Sequence, residues 1–120
     1  MQRARILVVD DERPSVDIIS RILSSRGHDV TGAASAEEAL KVLQGASFDL
    51  VLLDLVLPGM TGLQALSQMK ALTQAPIHLM SGQTDDETRN DALALGASGF
   101  LPKPLDLKGL HAIVEALPAR

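Results

Sequence analysis

Asp10 and Asp11 follow the apolar run Ile6 to Val9, Asp54 follows Leu50 to Leu53, and Ser81 follows Ile77 to Met80. Lys103 stands close behind Phe100 and Leu101. Each run is almost wholly apolar and lacks alternation, the pattern of a short strand buried on both faces of a sheet. A buried parallel strand that stops at a carboxylate brings that carboxylate out at the C-terminal edge of its sheet. Open α/β sheets hold their ligands at that edge. Three acids, a hydroxyl and an ammonium gathered there make a phosphate-and-metal site.

The acids Asp10, Asp11 and Glu12 are consecutive, so they cannot all face the same way. Alone they read as a solvated turn at the start of a helix, where acids meet the positive end of the dipole. Asp54 changes that balance, because an unpaired carboxylate at the end of the most apolar strand is costly. If the strands carrying Asp10 and Asp54 are neighbours, their carboxylates repel, and one takes up a proton unless a cation lies among them. Oxygen-only ligands with room for water suit Mg²⁺. Lys103 and Ser81 would then surround a phosphoryl group on Asp54 with positive charge and a donor. Positioning and charge neutralisation are most of what phosphoryl transfer needs. Asp54 would be the carboxylate nucleophile, giving an aspartyl phosphate.

The elements that must position these residues alternate along the chain. The strands read as Arg5 to Val9, Asp29 to Ala33, Leu50 to Leu53, Ile77 to Met80 and Gly99 to Leu101. Between and after them the spacing predicts helices over 14–26, 36–44, 61–72, up to about Leu95, and from Asp106 to Leu117. Pro14 suits a first helical turn, and Gly27 a stop. Ser35 with Glu38, and Thr84 with Glu87, have the spacing of capping boxes. Asp106 caps the last helix, with Leu107, Leu110, Val114 and Leu117 on its buried face, and Pro118 ends it. Such alternation implies one doubly wound α/β domain over residues 1–120, a five-stranded parallel sheet with right-handed crossovers and helices on both faces. The order 2-1-3-4-5 sets Asp54 beside the first acidic pair.

Composition excludes several classes. The chain has 120 residues and no cysteine, so disulfides and thiolate metal sites are out. Its formal charge of -4, with no basic cluster, argues against direct nucleic-acid binding. With two Phe, no Tyr and no Trp it offers no base-stacking platform. No apolar stretch is long enough for a membrane span. There is no G-x-G-x-x-G after the first strand and no Walker lysine, so dinucleotide and P-loop readings lose their support. His28, His78 and His111 do not form a metal-binding spacing.

These motifs, in this order, resemble the receiver domain of two-component response regulators over essentially the whole chain. The matching residues are Val-Val-Asp-Asp-Glu at 8 to 12, Leu-Leu-Asp at 52 to 54, Pro-Gly-Met-Thr-Gly at 58 to 62, Ser-Gly at 81 to 82 and Lys-Pro at 103 to 104. The resemblance implies a flavodoxin-like (βα)5 fold with Asp54 as phosphoacceptor. It implies Asp11 and Asp54 as ligands of Mg²⁺, with Asp10 acting largely through water and the Val56 carbonyl completing the protein set. Lys103 would pair with the phosphoryl group, Ser81 would hydrogen-bond it, and a cis Lys103–Pro104 peptide is expected. Phe100 stands at the switch position, without the hydroxyl of the more frequent Tyr. Thr61 and Leu105 also depart from the commonest pattern, at positions that are not ligands. Val56 and Gln83 flank the path of an attacking water, so apolar Val56 is expected to slow hydrolysis and Gln83 to orient water.

The implied function is a cytoplasmic, phosphorylation-controlled switch. A histidine kinase or histidine phosphotransfer protein donates phosphate, and the face of helix four, strand five and helix five controls a downstream effector or a fused output domain. No effector domain is expected within these residues. The only catalysis expected is of its own phosphorylation and dephosphorylation, and the sequence leaves open whether phosphorylation drives a homodimer. A Mg²⁺-dependent phosphohydrolase is disfavoured, because such enzymes usually carry an acid where Val56 stands. A non-phosphorylated interaction module is the alternative that retention of all five site residues argues against.

Overall fold

The computed structural model of the chain describes residues 3–82 and 85–117. In chain order the elements are β1 (Arg5–Val9), α1 (Arg13–Ser24), β2 (Asp29–Ala33), α2 (Ala36–Gly45) and β3 (Leu50–Asp54). They continue with α3 (Gly62–Lys70), β4 (Ile77–Ser81), α4 (Asp86–Ala94), β5 (Gly99–Pro102) and α5 (Leu107–Glu115). The strands form one parallel sheet of order β2-β1-β3-β4-β5. This is the expected doubly wound topology, with β1 and β3 side by side.

The lack of alternation in the strands has a simple cause. Leu7, Val9, Val51, Leu53, Ile77 and Leu79 pack against the apolar faces of α2 and α3 and against Ala92 of α4. The intervening residues Ile6, Val8, Leu50, Leu52, Met80 and Leu101 pack against Ile19 and Leu23 of α1 and Leu110 and Val114 of α5. Both faces are dry, so both sets of residues must be apolar.

Local chemistry sets the helix ends. The α1 helix carries Pro14 in its first turn and stops at Ser24, two residues short of expectation. Gly27 then takes φ 91°, which turns the chain toward β2. Ser35 Oγ accepts from the Glu38 N–H, but Glu38 reaches back to the Ala34 N–H rather than to Ser35, so the predicted box is offset by one residue. Thr61, read from sequence as the first helical residue, is instead the cap of α3 and forms a complete capping box with Gln64. At α4 the cap is Asp85, which accepts from the Thr88 N–H at 2.7 Å. The cap expected at Thr84 falls outside the described residues, as does the stop at Pro118. Asp106 caps α5 as expected.

One core expectation fails. Leu110 and Val114 are buried and Leu117 packs beside them, but Leu107 is 50% exposed. As the first residue of α5 it stands at the rim of an apolar groove between α1 and α5, not under the helix. Among the described residues no helix is long and apolar enough to cross a membrane.

Candidate functional site

The site is built where the four neighbouring strands β1, β3, β4 and β5 end. Asp10 directly follows β1, and its N–H donates to the Ala33 carbonyl at 3.1 Å, so the β2 edge fixes its backbone. Its Oδ1 accepts from the Glu12 N–H at 2.9 Å. Asp54 is the last residue of β3, and its Oδ1 accepts from the Val56 N–H at 3.0 Å. Each carboxylate is thus held by the backbone two residues on, which leaves Oδ2 for other work. Lys103 follows β5, and its N–H donates to the Ser81 carbonyl at 2.9 Å. The Lys103–Pro104 peptide is cis, as expected.

Lys103 joins the two acids. Its Nζ lies 3.0 Å from Asp10 Oδ2 and 3.1 Å from Asp54 Oδ2, and 4.0 Å from Glu12 Oε1. The Asp10 side chain is fully buried and that of Asp54 is 7% exposed. Asp54, Ser81 and Lys103 share a cleft of about 450 Å³ with Val56, Leu57 and Pro58. Val56 stands over it with 75% of its surface exposed.

The structure brings Glu12 to the site beside Asp10 and Asp54, in addition to the acids that the sequence singles out. The acids whose oxygens converge to within 4.8 Å of one another are Asp10, Glu12 and Asp54. Asp11, exposed like Glu12, lines the same cleft. The cause is local: the chain bends at Asp11, and the Glu12 N–H donates to Asp10 Oδ1, which turns Glu12 back beside Asp10. Gln83 lies outside the described residues. Phe100 is set apart from the acids: it packs toward the α4 side of the sheet, under the guanidinium of Arg89.

The electrostatics follow from burial. Burial is the largest influence on the Asp54 carboxyl and pushes its pKa above the usual carboxylate value. The Val56 N–H and the Lys103 ammonium pull it down, and the charge of Asp10 pushes it up again. For Lys103, burial opposes the charge, but hydrogen bonds to Asp10 and Asp54 outweigh it and hold the pKa above the ordinary lysine value. One ammonium therefore serves two buried carboxylates, and Asp54 is still short of positive charge. An oxygen-only donor set with unmet negative charge fits a hard divalent cation.

Comparison with known proteins decides what this arrangement belongs to. Residues 6–115 match the family model for the response regulator receiver domain. The chain belongs to that family. It is 36% identical over 117 residues to the transcriptional regulatory protein YvrH of Bacillus subtilis, covering 97% of this chain and 49% of that one. It is 39% identical over 111 residues to the transcriptional regulatory protein ZraR of Escherichia coli K12, covering 92% of this chain and 25% of that one. Among solved structures it resembles the chemotaxis protein CheY4 of Vibrio cholerae, with a TM-score of 0.88 and 30% identity over 97% and 99% of the two chains. The receiver thus spans half or less of these curated regulators and nearly all of the chemotaxis protein.

Proposed function

We propose that this receiver accepts a phosphoryl group on Asp54 from a phosphorylated histidine of a partner kinase or phosphotransfer protein. The P–N bond to the donor imidazole breaks as a bond forms between phosphorus and an Asp54 carboxylate oxygen. The observation that carries this reading is the single ammonium of Lys103 within 3.1 Å of the Asp54 carboxylate, in a cleft that also holds Ser81. Lys103 would turn from the acids to the new phosphoryl oxygens, and the Ser81 hydroxyl would donate to them. Asp10, Glu12 and Asp54 would hold Mg²⁺, which when bound would neutralise charge on the transferring group. Asp11 and the Val56 carbonyl remain candidate ligands through the family resemblance.

The chemistry asked of the chain is its own phosphorylation and dephosphorylation, not turnover of a free substrate. The donor would reach Asp54 across the rim of the cleft. The adjoining α1/α5 groove, lined by Ile18, Ile22, Leu105 and Leu107 next to Lys103, suits the apolar side of a donor helix. Output would pass through the face of α4, β5 and α5, with Ser81 and Phe100 as the moving parts, to an effector protein or a linked output domain. We assign the domain to the cytoplasm, where its donor would be charged from ATP.

Intact mass after incubation with acetyl phosphate, with and without Mg²⁺, tests the core of this reading. A single Mg²⁺-dependent phosphoryl adduct on the wild type, absent from Asp54→Ala, is expected. No adduct from small donors or from a phosphorylated histidine domain would leave a receiver-like interaction module.

A further inference from the structure

Phe100 is one of only two aromatic residues in the chain. It is half-buried in β5, paired in register with Leu79, two residues before Ser81. A bare phenyl ring in that position leaves apolar surface in water and has no hydroxyl to offer solvent. Burial would draw it inward by the ordinary hydrophobic effect. Something must offset that pull in the resting state. The guanidinium carbon of Arg89 lies 4.9 Å from the ring centroid, a cation–π contact.

The helix that supplies Arg89 has little other grip on the sheet. Ala92 is the one buried residue of α4, and Leu93 and Leu95 beside it are exposed. Arg89 itself is exposed. Its charge could not follow the ring into the protein interior, because an unpaired buried guanidinium is costly. The contact therefore exists with the ring outward and is lost with the ring inward. An interaction present in one state and absent from the other biases the equilibrium between them.

We propose that Arg89 is a positioning residue that latches Phe100 outward and so sets how much phosphoryl binding is needed to throw the switch. This rests on the receiver reading above, in which Phe100 moves inward as Ser81 turns toward the phosphoryl group. An exposed cation–π contact predicts an effect of about two- to fivefold in the affinity for an acyl-phosphate mimic.

The small number of aromatics makes the test direct. The full chain is labelled with 4-fluorophenylalanine, which reports at Phe48 and Phe100 alone. Phe48 lies under Arg5 at 5.4 Å and serves as the internal reference. Beryllofluoride is titrated in the presence of Mg²⁺ while the fluorine spectrum is followed, for wild type, Arg89→Met and Arg89→Lys. The expected result is a Phe100 resonance that already differs between wild type and Arg89→Met before titration, with Phe48 unmoved. The beryllofluoride midpoint should fall about two- to fivefold in Arg89→Met, with Arg89→Lys between the two. A wild-type Phe100 signal that responds to beryllofluoride, with an unchanged or raised midpoint in Arg89→Met, overturns the latch and leaves the receiver reading standing. A wild-type spectrum that ignores beryllofluoride at every concentration overturns both.

Discussion

Lys103→Met removes the ammonium that ties β5 to the ends of β1 and β3. Its two bonds, 3.0 Å to Asp10 and 3.1 Å to Asp54, are charge-assisted and mostly shielded from water. Breaking a fully buried ion pair by removing one partner costs about 3–5 kcal/mol. Lys103 is 22% exposed and the cleft is open, so water recovers part of that. A loss of about 2–3 kcal/mol is the expected net, or a fall in Tm of roughly 8–12 °C for a domain of this size. The sign with pH is fixed by Asp54, whose pKa is already raised by burial. Its ionisation works against the fold, and without Lys103 it does so more strongly. The cost of Lys103→Met should therefore be greatest at neutral pH and shrink as acid protonates the carboxyl. Urea unfolding of wild type and Lys103→Met, each with and without Mg²⁺ and each repeated in an Asp54→Asn background, measures this. Mg²⁺ should recover most of the loss and Asp54→Asn only part of it, because Asp10 stays buried without its partner. A loss equally large in all four conditions would mean that the lysine contributes through its packing, not its charge, and would refute the electrostatic account.

Val56→Asn should speed loss of the phosphoryl group severalfold, because a polar amide over the cleft can hold water where an exposed valine cannot; Gln83→Ala should slow it. Decay rates equal to wild type for both would remove them from the hydrolytic path. His28 is buried, with Nδ1 accepting from the Ala4 N–H at 3.0 Å, and burial, then the charges of Arg26 and His111, lower its pKa. The unfolded chain therefore takes up this proton first. The stability this contributes is intact above about pH 6.5 and declines as pH falls toward the lowered folded value. His28→Asn should unfold with a shallower dependence between neutral and mildly acidic pH, and equal slopes in the two proteins would refute this. Gly62→Ala sets a methyl 2.5 Å from the Leu55 carbonyl oxygen and 2.6 Å from Leu55 Cα, both backbone atoms. It should cost about 3 kcal/mol in urea unfolding, and a cost below about 1 kcal/mol would mean that the loop beside Asp54 yields freely.

The sheet was legible because its strands are buried on both faces. Ile6 to Val9 and Leu50 to Leu53 have strand length and β-branched or leucine content, with turn-forming residues close behind. Their carboxylate ends then located Asp10 and Asp54 before any distance was known. Lys103 was legible through the proline behind it. What sequence could not supply was rotation about an axis. Asp11 and Glu12 both look like metal ligands as letters, and only the bend at Asp11 brings the Glu12 carboxylate beside those of Asp10 and Asp54. The α4 helix has no apolar stripe to fix which side meets the sheet, so nothing in its composition placed Arg89 over Phe100. At α3 the signal was present but misassigned: Thr61 and Gln64 have capping-box spacing, and counting Thr61 as helical hid it.

The same ammonium stabilises the resting site and limits it. Asp10 and Asp54 share Lys103 through their Oδ2 atoms, while each Oδ1 is held by backbone. A phosphoryl group on Asp54 replaces a single negative charge with nearly two at that position. In the proposed phosphorylated state the lysine would be drawn toward the new oxygens, and Asp10, whose side chain is wholly buried, would lose its partner. A buried carboxylate without a cation is among the costliest arrangements a fold can hold. The acidic group therefore has more need of a divalent cation after phosphorylation than before it. By linkage, the cation must favour the phosphorylated state by the same free energy. On the proposed reading, a requirement for metal and a moving Lys103 would be one property, set by the placing of two acids and a single base at the ends of β1, β3 and β5.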